Sequence, residues 1–209
     1  MNALYSHIKR HIEQRPNKPV FIFDFDGTLS DGSHRLDRLP TENLHLTESW
    51  QEFNELSAFD APFEDTIQVM KACYQFGTVI ILTGRSDSVL NLSVQWLLDN
   101  DADYYDFLVM REATDNRKDT IIKEEFLRFI GLHRITAAWD DSPKVIEHFR
   151  GLGITTYQVC DYGDNVHAGL KSHGVSELKA ECDHIWERHS TGDDYYDCCV
   201  SCGKSKGIK

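Results

Sequence analysis

No apolar run in the 209 residues reaches the ~18 needed to span a bilayer. The opening stretch, MNALYSHIKRHIEQRPNKPV, has no apolar segment followed by a small-residue cleavage site. That excludes a signal peptide and sets the expected location as cytoplasmic. Basic residues are scarce as well: 22 Lys and Arg against 34 Asp and Glu leave a net charge of −12. Such a balance excludes a protein that coats nucleic acid through a broad basic surface. It leaves room for a local cationic pocket, or for carboxylates gathered round a metal. Internal repeats and low-complexity segments are absent. What is present is a 24.1 kDa chain with 41% apolar residues, enough for one ordinary domain and a small appendage.

The apolar pattern alternates along most of the chain. Residues 2–14 place Leu4, Ile8 and Ile12 at helical spacing, closed by Pro16 and Asn17. Val20-Phe21-Ile22-Phe23 reads as a buried strand bounded by Pro19 and Gly27. Helices are predicted over 63–76, 87–99, 119–130 and 143–151, and strands over 78–82, 107–110, 135–139 and 154–159. Strand and helix in repeated succession define an α/β fold, a parallel sheet with helices on both faces. Residues 30–61 interrupt the rhythm and are too long for a simple loop. They read as a short lid in which Trp50, Phe53 and Leu56 fall at a spacing of three on one short helix. A domain over 1–178 with a tail over 179–209 is the expected organisation.

The acidic residues fall where such strands end. Asp24 and Asp26 follow the first strand, Thr83-Gly84-Arg85 the second, and Asp140-Asp141 the strand 135–139. In a parallel sheet these carboxyl ends line one ligand-binding crevice. Lys118, opening the helix before 135–139, is placed to reach the same edge. Four converging carboxylates need a cation between them, and an all-oxygen site open to substrate favours Mg²⁺. With a lysine and arginine beside it, the constellation reads as phosphoryl transfer.

The ordered motifs D-x-D-G-T, T-G-R, lysine and D-D, over roughly residues 20–160, resemble the haloacid dehalogenase superfamily of phosphatases. The closer similarity is to the 3′-phosphatase domain of bacteriophage polynucleotide kinase–phosphatases. Arg35, Arg85 and the stretch Arg117-Lys118-Asp119…Lys123-Glu124-Glu125 add to it. No G-x-x-x-x-G-K-[ST] kinase motif occurs. The resemblance implies that Asp24 is the nucleophile, ionised at pH 7 by its ordinary pKa of ~4. Asp26 would be the acid and base. Thr83 and Lys118 would hold the transferring group. Asp24, the Asp26 carbonyl and Asp140 or Asp141 would hold Mg²⁺. Gly27, Thr28, Gly84, Arg35 and Arg85 would meet substrate, the glycines by letting backbone approach the phosphate.

A short lid suits a substrate larger than a small metabolite, such as a nucleic-acid end. The acidic charge instead favours a free nucleotide, leaving a nucleoside 5′-monophosphatase as the alternative. Trp50 or Phe53 would either stack a base or anchor packing, and such a pair more often anchors. A non-catalytic phospho-acceptor or a binding scaffold is a reading from another class. Asp26 argues against the phospho-acceptor, since a positioned acid/base shortens the life of an aspartyl-phosphate.

Four of the six cysteines lie between residues 182 and 202. Cys182-x-His184 followed by Cys199-x-x-Cys202-Gly203 is a plausible closed, structural Zn²⁺ site, with Cys198 or His189 as possible substitutes. A tail with few apolar residues needs such a staple to fold.

Overall fold

The computed structural model describes residues 3–160 and, beyond them, the backbone of three short strands. The chain divides into two units, Met1–Val175 and Ser176–Lys209.

In the first unit, β1 (Val20–Phe23) is the middle of a five-stranded parallel sheet. The other strands are β4 (Thr78–Ser86), β5 (Phe107–Arg111), β6 (Ile135–Asp140) and β7 (Thr156–Gln158), in the order β5-β4-β1-β6-β7. The continuous apolar runs of β1 and β4 reflect burial on both faces. Val20, Ile22, Ile80 and Leu82 enter one core layer, and Phe23, Val79 and Ile81 the other. The first layer is closed by α1 (Ala3–Glu13), α5 (Asp119–Ile130) and α6 (Pro143–Gly151) through Ile8, Ile12, Phe126, Ile130, Val145 and Phe149. The second is closed by α3 (Glu64–Phe76) and α4 (Leu90–Asp99) through Ile67, Met70, Trp96 and Leu97. The fold is thus the α/β sandwich expected. Observed elements match the predicted ones closely, except that β4 runs on through Thr83-Gly84-Arg85 and β7 is shorter.

The interval 30–61 opens and closes on a two-stranded antiparallel flap, β2 (Ser30–Asp31) against β3 (Ala61–Pro62). Between them lie 3₁₀ turns at Ser33–Arg38, Thr47–Trp50 and Leu56–Phe59, with α2 (Gln51–Glu55) as the α-helical turn. Trp50 is 8% exposed and donates to the Leu44 carbonyl at 3.1 Å, while Phe53 packs edge-on to it. Of the two roles open to this pair, the structure shows packing.

The second unit holds β8 (Trp186–Thr191), β9 (Asp194–Cys199) and β10 (Ser205–Gly207), an antiparallel sheet ordered β10-β9-β8. Cys182, His184 and Cys202 lie outside the described residues, as do the side chains of His189, Cys198 and Cys199. Among the described residues no helix is long and apolar enough to cross a membrane.

Candidate active site

Asp24 leaves the end of β1 with its backbone N–H on the Trp139 carbonyl at 2.9 Å, so β1 and β6 end side by side. Asp140 closes β6 and Asp141 follows it. One oxygen from each of Asp24, Asp140 and Asp141 lies within 4.8 Å of the others. Three buried or half-buried carboxylates so close are an oxygen-only donor set of the kind a hard divalent cation takes. Gly27 makes the grouping possible: at φ +74° it takes a left-handed turn, and a Cβ there would stand 2.2 Å from Asp141 Oδ2. Gly27 therefore yields space to a carboxylate, a different use from the close phosphate approach expected of it.

The ammonium that meets Asp24 belongs to Lys123, not Lys118. Lys123 Nζ donates to Asp24 Oδ1 at 2.8 Å and Asp140 Oδ2 at 3.0 Å, and lies 3.2 Å from Asp119 Oδ2. Lys118 is the N-cap of α5, half-buried, with its carbonyl receiving the first helical N–H groups. The inward stripe of α5 carries Ile122, Phe126, Leu127 and Ile130, and Lys123 belongs to that stripe. Burial lowers the lysine's proton affinity, but Asp119, Asp140 and Asp24 overcome it and hold the ammonium firmly protonated.

The same burial pushes Asp24 well above the usual carboxylate range, opposed by Lys123 and reinforced by Asp140. Burial likewise raises Asp140, and raises Asp141 to about 7 with Asp140 adding repulsion. Asp24 is thus not an ordinary carboxylate: burial raises its proton affinity and the Lys123 ammonium opposes that rise. Its ionisation depends on positive charge brought to it.

Asp26 sits two residues on, with its side chain one third exposed. Arg85 Nε donates to its Oδ2 at 3.1 Å, and Arg85 Nη2 and Arg35 Nη2 both donate to Oδ1. Burial pushes this carboxyl up, but the Arg85 and Arg35 guanidiniums override it and hold the group far below the usual range. Both arginines are fully buried. Arg85 lies over the Phe25 ring at 3.9 Å, and Arg35 over Phe53 at 4.0 Å. Arg35 is fixed by the buried Asp60, which accepts from its Nε and Nη2, each at 2.7 Å, and from Ser30 Oγ at 3.0 Å. Two cations and two anions therefore share one enclosed ladder. Arg35 and Arg85, expected to meet substrate, both donate to Asp26.

Thr83 is buried in β4, with its hydroxyl accepting the Arg85 N–H at 3.1 Å. Thr28 is wholly buried in the turn after Asp26, and its hydroxyl finds no protein partner. A Cβ on Gly84 would lie 2.4 Å from Asp119 Oδ1, so this glycine makes room for Asp119 rather than for phosphate. Arg111, buried at the end of β5, donates to the Gly84 carbonyl at 2.9 Å and the Asp115 carbonyl at 3.1 Å. The lid is tied to this loop: Thr47 N–H reaches Asn116 Oδ1 at 2.8 Å, and the Thr47 hydroxyl reaches the Asp115 carbonyl at 2.7 Å.

Asp24, Asp140 and Asp141 are therefore gathered at one sheet edge, with Thr83, Arg85 and Arg35 close behind. Sequence reasoning quoted Asp119 and Lys123 in a matching stretch but gave the lysine's role to Lys118, and it missed Asp60 and Arg111. For Lys123 a signal existed, a lysine on the apolar stripe of a helix and four residues after an aspartate. For Asp60 and Arg111 none did, since their partners come from distant segments.

The sheet topology and this acidic edge agree with the class that the family match shows, a phosphatase of the haloacid dehalogenase superfamily. Comparison with known proteins narrows it. Residues 18–164 match the family described as the polynucleotide kinase PNKP phosphatase domain, and the chain belongs to that family. Among solved structures, a chain of the Pnkp1/Rnl/Hen1 RNA repair complex is 30% identical with a TM-score of 0.55, over 70% of this chain and 44% of that one. A second structure of the Pnkp1/Rnl/Hen1 complex gives 29% identity and 0.55, over 71% and 48%. This chain thus spans less than half the length of those relatives. A haloacid dehalogenase-like hydrolase from Streptococcus pneumoniae is 13% identical with a TM-score of 0.48, over 68% of this chain and 85% of that one. No curated protein matches the chain.

Proposed function

We propose that this chain is a Mg²⁺-dependent phosphomonoesterase of nucleotide-type esters, with the 3′-phosphate of a DNA or RNA end as its preferred substrate. The observation that carries the reading is the grouping of Asp24, Asp140 and Asp141 around a common point, with Lys123 bridging Asp24 and Asp140. Membership of the polynucleotide kinase phosphatase family supports the substrate class.

In this reading the carboxylate of Asp24 attacks phosphorus, displaces the ester oxygen and becomes an aspartyl-phosphate. Asp24, the Asp26 carbonyl and Asp140 or Asp141 would hold Mg²⁺, which would supply positive charge against the repulsion between carboxylate and phosphate dianion. Lys123 favours the charged forms of Asp24 and Asp140 against the pull of burial, and compensates the transferring group. Thr83, on the same edge, offers a hydroxyl to a phosphate oxygen. Asp26 donates a proton to the departing oxygen and then takes one from the water that cleaves the acyl-phosphate. Arg35 and Arg85 aim Asp26. The push that raises its proton affinity comes from the incoming dianion, a like charge beside it.

The net charge of −12 favours a second reading, a nucleoside 5′-monophosphatase, because an acidic surface repels a polyanionic strand more than a single nucleotide. Phosphate release with Mg²⁺ from 3′-phosphorylated oligonucleotides and from free mononucleotides decides between them. Faster turnover of the oligonucleotides supports the first. Turnover of neither, or an Asp24→Asn variant as active as wild type, defeats both.

A further inference from the structure

We propose that Trp139 and Tyr157 form a stacking shelf for a nucleobase of the substrate, a site distinct from the phosphate pocket; this rests on the nucleotide reading above. Phe23, Trp139 and Tyr157 are register partners on β1, β6 and β7 and project from the same face of the sheet. Their rings form a ladder. Phe23 and Trp139 are parallel to within 1° with centroids 4.4 Å apart, and Trp139 and Tyr157 are stacked at 25° and 5.3 Å. The inner end is sealed, Phe23 being fully buried in the α3–α4 layer, with Trp139 at its margin. The outer end is open: Tyr157 is 52% exposed.

The ladder also lies beside the chemistry. Phe23 immediately precedes Asp24, Trp139 immediately precedes Asp140, and the Asp140 carbonyl accepts the Val159 N–H at 3.1 Å. Tyr157 is two strand spacings from β1, about 10 Å, which the base of a terminal nucleotide or of its neighbour spans. A shelf next to a carboxylate cluster disfavours a second phosphate, and the base is the flat, uncharged part of a nucleotide. Stacked rings accept any base by its π-face, without reading sequence. Trp50 and Phe53 are occupied in packing, and the exposed Phe59 belongs to the lid, whereas this ladder is rooted in the strands that carry Asp24 and Asp140.

The test compares wild type, Tyr157→Ala and Tyr157→Phe on a 3′-phosphorylated oligothymidylate and on glycerol 2-phosphate, which has no base. For Tyr157→Ala the ratio of kcat/KM, oligonucleotide over glycerol phosphate, is expected to fall about fivefold or more, through KM. Tyr157→Phe, which keeps the ring, is expected to retain the wild-type ratio. An unchanged ratio in Tyr157→Ala, with the oligonucleotide still turned over, overturns the shelf alone. Equal loss on both substrates with a lowered Tm also overturns it and marks the ring as packing. A wild type that hydrolyses glycerol phosphate but no nucleotide ester removes the nucleotide reading, and the shelf with it.

Discussion

Lys123 carries more of the site's charge balance than any other side chain, because one ammonium faces Asp24, Asp119 and Asp140 together. Removing one partner of a buried ion pair costs about 3–5 kcal/mol, since the remaining charge is left uncompensated. Lys123→Met is therefore expected to lower phosphatase turnover by about 10²-fold or more and to shift chemical denaturation to lower denaturant. Lys118→Gln is expected to stay within a few-fold of wild type. Reversed outcomes for the two lysines would restore the assignment made from sequence. That assignment went astray for a physical reason. Lys118 opens the helix, where polar residues are expected, whereas Lys123 sits among Ile122, Phe126 and Leu127, where a charge is tolerated only if paired. Gly84→Ala is a second test at this scale: its methyl collides with Asp119, so it should impair activity through Lys123 without touching substrate.

At the scale of elements, β1, β4, β6 and their crossover helices were legible because each carries one unambiguous period. The lid was not. Three 3₁₀ turns and one short helix have no sustained repeat, and they are held by contacts between residues far apart in sequence. Asp60 illustrates this: nothing local marks it, yet it accepts from Arg35, Ser30 and His34. Asp60→Asn is expected to lower Tm and activity together, because two buried guanidiniums would then share one carboxylate. Thr47→Val keeps the lid's backbone bond to Asn116 but removes the hydroxyl bond to the Asp115 carbonyl of the same loop, worth about 1 kcal/mol. Faster hydrogen exchange confined to the lid and that loop is the expected readout, and exchange identical to wild type would show that other contacts seat the lid.

For the molecule as a whole, the gathered carboxylates tie stability to pH and to metal. Burial raises Asp141 to about 7 in the folded chain, against about 4 when unfolded. The stability linked to this group is full below about pH 4 and is lost as pH rises towards 7, since the folded site resists ionisation. Asp24 and Asp140 act in the same direction. Asp26, depressed by its two arginines, acts oppositely and only below about pH 4. If Mg²⁺ is held as proposed, it binds the ionised form, and the rise in Tm on adding Mg²⁺ is expected to be small at pH 5 and large at pH 8. A rise independent of pH would separate the metal from these carboxylates. The clamp on Asp26 has a thermodynamic corollary under the proposed mechanism. A resting protein whose acid is anchored in the anionic state must gain a hydrogen ion as the ester docks, drawn from solution when the ester arrives as its dianion. The heat of docking measured by calorimetry should then change with the ionisation enthalpy of the buffer, by an amount equal to the fraction of a proton captured.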